Sequence, residues 1–471
     1  MTMAKEHDKL LYQIEELLEN QDISVLGALL QGLRSSDIAE VVELMDNDER
    51  RVIFNVLDRS TSAEVLEKVD EATRSELFDL LEDAELVSLV SELGIDDAAD
   101  VLGEMDNAES AEVLDSLAPE EAAQIKNLMR YSEDSAGGIM DPVLISAYED
   151  ATVAEAVEKI RAAEIDEDFF SIFVVDRAGK FVGDVRIRLL LTAQEDKRIS
   201  DLLDTDTIYV SVDADQEEVR NLFRKNDLIV APVLDAVHRL VGRITADRII
   251  EVAEEEANED IYTIAGTDDA ELESESVFRA ARIRMTWLFP CLIGTAVTAL
   301  VGMFFREAFF QNGQLYIWVV AFVFVPMIAA ISGNAGLQTS AIVVSGLAAG
   351  HLADTRLRDV FEREIRIAIL VAICCGLIGA VLCAFLPNLL DSSAAPLRTE
   401  TITWAEHLRI VIAFGSGMFS AIMVATTLGL FLPFLFRKVG IDPAISAGPL
   451  VTTANDSISV SIYMALTLLL I

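Results

Sequence analysis

The chain has 471 residues, of which 52% are hydrophobic and 24% charged, and its formal net charge is −43. The mean hydropathy is +0.38, an unusually apolar value for so acidic a chain. A chain of this length corresponds to about three domains. Phosphate backbones are bound by Lys and Arg that replace their counterions, so this acidity excludes a nucleic-acid-binding protein and favours cations as partners.

The two halves of the chain differ in composition. Residues 287–471 hold ten acids and nine Lys or Arg, so the other 69 of the 79 acids and 27 of the 36 bases lie in residues 1–286. A neutral, apolar C-terminal part therefore follows an intensely acidic N-terminal part. Adaptation to a high-salt habitat is an alternative source of the acidity.

Neither the first residues nor the cysteines indicate export. The opening "MTMAKEHDKLLYQIEELLEN" is polar and amphipathic rather than a signal peptide, which predicts a cytoplasmic N-terminus. The four cysteines lie in apolar segments without zinc-ligand spacing or a disulfide framework.

A twelve-residue repeat runs through residues 40–130. Each repeat has an apolar residue that an acid follows in five of the eight copies, and seven of the copies have another apolar residue three positions earlier. Short amphipathic helices with acidic turns fit this spacing, and such units must stack to bury their apolar sides. The pattern predicts an acidic, all-α superhelical domain over residues 1–135. The repeated positions are Met45, Leu57, Val69, Leu81, Leu93, Met105, Leu117 and Met129.

Residues 136–250 contain an internal duplication. "FFSIFVVDRAGKFVGDVRI" and "LIVAPVLDAVHRLVGRITADRII" each read as a strand, an acidic turn and a second strand that leads into a helix, and each follows a predicted helix. This βαββα plan resembles a tandem CBS pair, an α/β regulatory module that dimerises.

Many CBS pairs bind adenine nucleotides through a Ser or Thr with an Asp three residues later. The second copy here has Thr245 but Arg248, and the first has Arg186 and Leu189. Both copies depart from the pattern, so ATP is an open but disfavoured ligand.

A connecting segment, residues 246–280, follows the duplication and is acidic. Asp247, Glu251, Glu255 and Glu259 recur every four residues on one helical stripe. Like charges at this spacing repel, and a stripe of oxygen ligands suits Mg²⁺ or Ca²⁺. A solvated acidic face is the alternative.

Five stretches are long and apolar enough to cross a bilayer, which takes about 20 residues as a helix. The second and fourth are overlong, and "SGNAG" and "GSGMF" predict interruptions where these helices bend and pack closely. The five predicted spans are residues 287–305, 315–349, 367–390, 408–436 and 444–471.

Basic residues in the short connections predict the orientation. Eight lie on one side and two on the other, which places the N-terminus in the cytoplasm and the C-terminus outside a cell membrane that the chain crosses five times. The eight are Arg279, Arg282, Arg284, Arg356, Arg358, Arg363, Arg437 and Lys438, and the two are Arg306 and Arg398.

The order of these parts, with "YSEDSAGGIMD", "SGNAGLQTS" and "LPFLFRKVGIDPAISAGPLVTTANDSISVSIY", resembles the MgtE family of magnesium channels along nearly the whole chain. The resemblance implies a multidomain membrane protein. An all-α superhelical N-domain precedes a CBS pair, a connecting helix and a five-helix transmembrane pore domain over residues 281–471. It also implies a homodimer.

The resemblance matches Asp456 to the family's pore acid. A carboxylate inside a span is expensive and therefore a functional candidate in its own right. Two copies around a dimer axis would face one hydrated Mg²⁺, an ion that gives up its water reluctantly. Interhelical hydrogen bonding is the alternative role of Asn334 and Gln338. The other predicted pore residues are Asn334, Gln338, Gly448, Pro449, Thr452, Thr453 and Asn455.

The family's gating scheme implies regulatory Mg²⁺ bound between acidic cytosolic parts, which would hold the pore shut. Arg248 stands where relatives can carry an acid. The matched positions, together with Glu255 of the stripe, are Glu64, Asp96, Asp100, Asp215, Glu217, Asp227, Asp247, Glu251, Glu256, Glu259 and Asp260.

The predicted function is thus Mg²⁺-selective uptake through a channel that internal Mg²⁺ closes, with Mn²⁺, Co²⁺ and Ca²⁺ as further candidate ions. An ion-coupled secondary transporter of divalent cations and a membrane-anchored Mg²⁺ sensor are the alternatives. An enzyme is not expected, because no nucleophile–base pair, phosphate loop or metalloprotease motif is present.

Overall fold

The computed structural model describes residues 2–163, 169–268, 271, 277–348, 352, 357–390 and 404–470. It divides into two compact units, residues 1–254 and 255–471, and helix α14 (Ala246–Ala265) carries the chain from one to the other. Arg356 and Arg398, used above to predict the orientation, lie outside the described residues.

The N-terminal part of the first unit is a helical array, as the twelve-residue repeat predicts. Its helices are α1 (Thr2–Glu19), α2 (Ile23–Leu30), α3 (Ser35–Glu43), α4 (Asn47–Val56), α5 (Arg59–Lys68), α6 (Glu71–Leu80), α7 (Asp83–Val90), α8 (Ile95–Gly103), α9 (Asn107–Ser116) and α10 (Pro119–Leu128).

The repeated acids begin these helices. Asp46, Asp58 and Asp70 each lie at an N-cap, where the side chain accepts a hydrogen bond from the backbone N–H three residues later. An Asp in this position satisfies one of the free amides of the first turn. One repeat is therefore one helix, and three of the repeats begin with an Asp cap of this kind.

Most helices of the array pack on the next but one along the chain, so α3 contacts α5, α5 contacts α7, and α8 contacts α10, whereas α1 packs on α2. Arg50 of α4 and Arg74 of α6 fasten each of these helices to the one before it. Arg50 donates to the carbonyls of Val42 (2.9 Å) and Glu43 (3.2 Å) at the end of α3. Arg74, 24 residues later, donates to the corresponding carbonyls of Leu66 and Glu67. A cation at a helix C-terminus complements the helix dipole.

The CBS-like part contains two three-stranded sheets with the same topology, which confirms the predicted duplication. In each, the first two strands are parallel and the last two antiparallel, with a register shift one residue before the second strand ends. Its elements are β1 (Ser146–Tyr148), α11 (Val153–Ala162), β2 (Ser171–Val175), β3 (Phe181–Arg186), α12 (Ile187–Thr192), β4 (Val210–Ser211), α13 (Gln216–Asn226), β5 (Val230–Leu234) and β6 (Leu240–Thr245).

The segment ahead of each sheet pairs with the other sheet. Asp141, ahead of β1, forms a bridge with Arg243 of β6, and Asp204, ahead of β4, forms one with Asp184 of β3. Glycine makes this approach possible, since a Cβ at Gly183 would lie 2.1 Å from the Asp204 carbonyl oxygen. The two halves therefore complete each other's sheets.

Among its described residues, the second unit contains five helical segments long and apolar enough to cross a membrane, in agreement with the sequence prediction. The first starts ten residues before the predicted 287. The helices are α15 (Val277–Gln311), α16 (Leu315–Phe322), α17 (Val325–Ala348), α18 (Leu357–Leu390), α19 (Trp404–Val439) and α20 (Pro449–Leu470), and a 3-10 turn, Ala444–Ser446, precedes α20.

The predicted interruptions are wrong, but the predicted close packing is correct. Helices α17 and α19 run unbroken through "SGNAG" and "GSGMF", and the second span instead breaks at Val323–Phe324, just ahead of Pro326. The small residues form helix crossings. A Cβ at Gly429 of α19 would lie 2.3 Å from the Gly336 carbonyl oxygen of α17. Small side chains let backbones approach without breaking either helix.

Candidate functional site

Asp456 lies on α20, two turns after Pro449, and is half-buried. Within the part of the chain that the structure describes, its carboxylate has no hydrogen bond and no ion pair. A carboxylate without a partner in a membrane span is costly unless water or a cation reaches it. Water or a cation beside Asp456 would lower this cost.

Asn455, the neighbouring residue, points to the interior of the protomer and is fully buried. Its Nδ2 donates to Ser332 Oγ of α17 at 2.8 Å, and its Oδ1 accepts from Ser459 Oγ at 2.7 Å. In this chain, Asn455 thus joins two helices, whereas the sequence prediction had it lining the pore.

Thr453 also packs within the protomer. A Cβ at Gly294 of α15 would lie 1.8 Å from Thr453 Cγ2, so the threonine fills the space that the glycine leaves. One turn later, Ser457 Oγ lies 2.8 Å from Thr298 Oγ1. These contacts fasten α20 to the first span. Thr452 Oγ1 instead donates to the Pro449 carbonyl at 3.0 Å.

Asn334 and Gln338 lie one turn apart on α17 and are both exposed. In the described residues neither side chain has a hydrogen-bond partner, so the interhelical hydrogen bonds offered as their alternative role do not form within one chain. Two polar side chains therefore stand on the outer surface of an apolar bundle, where lipid would not satisfy them.

Gly448 and Pro449 lie against the end of α14. A Cβ at Gly448 would lie 2.7 Å from the Ile264 carbonyl oxygen, and Gly266, with φ of +79°, would carry its Cβ 2.8 Å from Pro449 Cγ. Helix α14 ends in a Schellman motif, with N–H bonds from Gly266 to Thr263 and from Thr267 to Tyr262. The tight fit places the end of the connecting helix directly on the start of the last span.

The predicted acidic metal ligands are spread over α5, α8, α13 with its flanking residues, and α14. In the described residues, no three His, Cys, Asp or Glu side chains are grouped closely enough to hold a metal ion. Asp215 and Asp227 lie at opposite ends of α13, the first as N-cap and the second in the left-handed conformation. The exposed candidates are Glu64, Asp215, Asp227, Asp247, Glu251, Glu255 and Glu259, and the half-buried ones are Asp96, Asp100, Glu217, Glu256 and Asp260.

A mixed-charge cluster lies where the array meets the first turns of α14. Arg248 donates to Asp100 Oδ2 at 2.7 Å and to Glu251 Oε2 at 3.1 Å. Burial and then the carboxylates of Glu67 and Asp100 raise the pKa of Asp97 to about 6. Acids are thus crowded here around a basic residue of the connecting helix.

Sequence reasoning missed several of these groups. Ser332, Ser459, Thr298 and Ser457 form the polar contacts between spans, and hydroxyl side chains among apolar helices are the signal that could have found them. Glu364 of α18 is only 3% exposed and lies in the third membrane-crossing segment. The sequence analysis predicted that this span begins at residue 367, so it left Glu364 outside the membrane.

Comparison with known families agrees with this architecture. Residues 325–466 match a model described as MgtE, a divalent cation transporter; residues 33–134 match the MgtE intracellular N domain; and residues 136–196 and 199–255 match the CBS domain.

Named relatives and solved structures are similar to the chain. The magnesium transporter MgtE of Thermus thermophilus is 30% identical over 74% of this chain and 72% of its own length, and that of Enterococcus faecalis is 31% identical over 72% and 70%. The cytosolic domain of the Mg²⁺ channel MgtE in complex with ATP is 32% identical, with a TM-score of 0.49 over 51% of this chain and 99% of that one. The soluble part of a magnesium transporter is 28% identical, with a TM-score of 0.48 over 53% and 99%. The chain belongs to the MgtE family of divalent cation transporters.

Proposed function

We propose that the protein is a Mg²⁺-selective channel for magnesium uptake and that Asp456 faces the ion path. The observation that carries the proposal is the Asp456 carboxylate on the last span, which has no hydrogen bond or ion pair among the described residues. The similarity to magnesium transporters favours Mg²⁺ as the transported ion. Mg²⁺ keeps much of its hydration shell, so a few carboxylate oxygens that accept hydrogen bonds from its water suit it better than a closed cage of ligands.

A second copy of the chain supplies what the first lacks. The exposed Asn334 and Gln338 need a polar environment, and a homodimer that encloses water along this face of α17 provides one. The same pairing presents Asp456 twice to the ion, so two negative charges face one divalent cation. Gly448, Pro449 and Thr452 would border the path at the start of α20, whereas Asn455 and Thr453 hold the helix in place from behind.

Control by internal Mg²⁺ follows from the acids and from the position of α14. With little Mg²⁺ the carboxylates repel, and with more the cation neutralises them and favours a closed state, since a ligand shifts a conformational equilibrium by its differential affinity. The end of α14 contacts Gly448 and Pro449, so a displacement of this helix acts on the last span. ATP stays an open but disfavoured ligand, because Arg248 replaces the Asp of the usual nucleotide-binding pattern.

An ion-coupled transporter is the second candidate, and one observation favours it. Coupling requires a further titratable group among the spans, and the buried Glu364 supplies one besides Asp456. A transporter of this kind needs a Na⁺ or H⁺ gradient, whereas a channel conducts Mg²⁺ down its own gradient alone.

Flux measurements in liposomes test the proposal. We expect Asp456→Asn to abolish Mg²⁺ influx, while Asp359→Asn, an exposed acid at the start of α18, leaves influx unchanged. Mg²⁺ added on the cytosolic side should inhibit influx, and Mn²⁺, Co²⁺ and Ca²⁺ are tested as competitors. Normal influx through Asp456→Asn would refute the pore assignment, and strict dependence on a Na⁺ or H⁺ gradient would favour the coupled transporter.

A further inference from the structure

We infer that Arg248, assisted by Lys68, is a built-in cation bridge that holds the N-terminal helical array against the connecting helix without any divalent ion. The inference rests on the proposed control by cytosolic acids and adds to it a component that does not depend on Mg²⁺. It follows from the contacts of one basic residue in the first turn of α14.

The Arg248 side chain joins two separate elements. One Nη donates to Asp100 of α8 at 2.7 Å and the other to Glu251, one turn further along α14, at 3.1 Å. The Arg248 and Asp100 side chains are only 27% and 36% exposed, so water screens the pair incompletely. A planar guanidinium with several fixed donors is well suited to hold two carboxylates at once.

Lys68 at the end of α5 neutralises the same region from the array side. Its Nζ lies 3.0 Å from the Glu67 carboxylate. Burial alone lowers the pKa of Lys68, but the carboxylates of Glu67, Asp97 and Glu251 raise it overall. This lysine therefore interacts with acids of both the array and α14.

The charge balance explains why a cation is needed here. Glu67, Asp97, Asp100 and Glu251 bring four acids to this junction. Lys68 pairs with Glu67 and Arg248 with Asp100, and the charge of Arg74 also acts on Asp100. Without Lys68 and Arg248, the junction would close only when mobile cations entered it. A tethered base is present at every Mg²⁺ concentration, so part of the closed arrangement is permanent.

The pairing with Arg248 makes Asp100 and Glu251 less available as Mg²⁺ ligands. Their carboxylates already face a guanidinium, so Mg²⁺ must compete with it or bind elsewhere on the acidic surface. The chain should need Mg²⁺ for the remaining acids but not for the contact between α8 and α14.

Hydrogen exchange on the full-length protein in lipid nanodiscs tests this bridge independently of transport. In EDTA, Arg248→Gln should raise the exchange rates of α8 amides roughly fivefold, the effect of losing a partly exposed ion pair. Arg248→Glu should raise them further, and Mg²⁺ alone should restore protection to that variant. The matched control, Arg177→Glu, breaks an exposed pair with Asp150 in the CBS part and should leave α8 unchanged.

If a single variant unfolds the array, a double variant with exchanged charges still tests the ion pair. The double variant Asp100→Lys with Arg248→Glu recreates the pair in the opposite sense and should regain protection in EDTA. Exchange of α8 at the wild-type rate in Arg248→Gln, or a double variant no better protected than Arg248→Glu alone, would overturn the inference. Mg²⁺ flux enters neither readout, so failure of the pore assignment and failure of the bridge are separately visible.

Discussion

The acids of the first unit and the acid of the last span obey different electrostatics. In the array and the connecting helix the carboxylates are numerous, mostly exposed, and used as helix caps or as partners of Arg50, Arg74 and Arg248. Each is cheap in water, and neutralising one changes little. Asp456 lies on an apolar helix, and among the described residues its carboxylate has no partner, so its cost is concentrated in one side chain. Many weakly interacting carboxylates are suited to a graded response to cation concentration. One carboxylate inside a membrane span is suited to selecting which ion passes.

The first unit and the membrane spans also differ in how tightly their helices pack. The largest loss of stability is expected for a substitution at a crossing between two spans. Gly429→Ala places a Cβ 2.3 Å from the Gly336 carbonyl oxygen, backbone against backbone. We expect a loss of about 3 kcal/mol of stability, as for overpacked cores, measured by unfolding in mixed micelles. The control Gly302→Ala meets only the Phe322 ring at 3.4 Å and should cost much less. Equal stability of the two variants would contradict the crossing.

In the array, a buried arginine should matter more than any surface acid. Arg50→Met removes the donors that bind the last carbonyls of α3 and leaves Glu76 without this partner. We expect the opening free energy of α3, measured by native-state hydrogen exchange, to fall by about 2 kcal/mol. The exposed neighbour serves as control, so Arg51→Met should leave α3 unaffected.

Sensing by many acids should need several substitutions before it fails. Neutralising Glu251, Glu255 and Glu259 together to Gln should raise the Mg²⁺ concentration that half-inhibits flux roughly tenfold, since cooperating weak sites are lost together. The same charge change at the exposed Glu109, Glu112 and Glu120 of the array is the control. Inhibition unchanged by the first triple variant would show that α14 is not the sensor.

The smallest effect is expected for Asn455, which neighbours Asp456 on the last span. Asn455→Ala breaks the hydrogen bonds to Ser332 and Ser459 and should cost about 0.6 kcal/mol, typical of interhelical hydrogen bonds in membranes. Because Asn455 acts from behind the path, Mg²⁺ flux should stay within about twofold of wild type. Ser461→Ala, which loses only a bond to its own helix, is the stability control. A complete loss of flux in Asn455→Ala would instead support the prediction that this residue lines the pore.

Periodic patterns made the architecture predictable. The twelve-residue repeat specifies one helix per unit because apolar and capping residues recur at fixed spacing, and five apolar stretches specify five spans. The patterns do not show which part of the protein each face of a helix contacts. Sequence alone does not say that Asn455 points inward while Asp456, about 100° around the helix, does not.

The remaining errors have specific physical causes. "SGNAG" resembles a helix breaker, yet small residues inside a bilayer favour close helix contact, and the proline at 326 marks the actual break. Glu364 was overlooked because the surrounding charges of Glu362, Arg363 and Arg366 make its stretch read as a loop, whereas the structure extends α18 to Leu357.

The next-but-one stacking of the array has a consequence for how such a domain changes in length. Because stacking joins alternate helices, inserting two repeats, or about 24 residues, returns each later helix to the same alternate set, whereas inserting one repeat exchanges the two sets beyond that point. Asp100 lies on α8, so an insertion ahead of α8 leaves its contact with Arg248 unchanged. A single repeat inserted after α8 would instead separate the two residues.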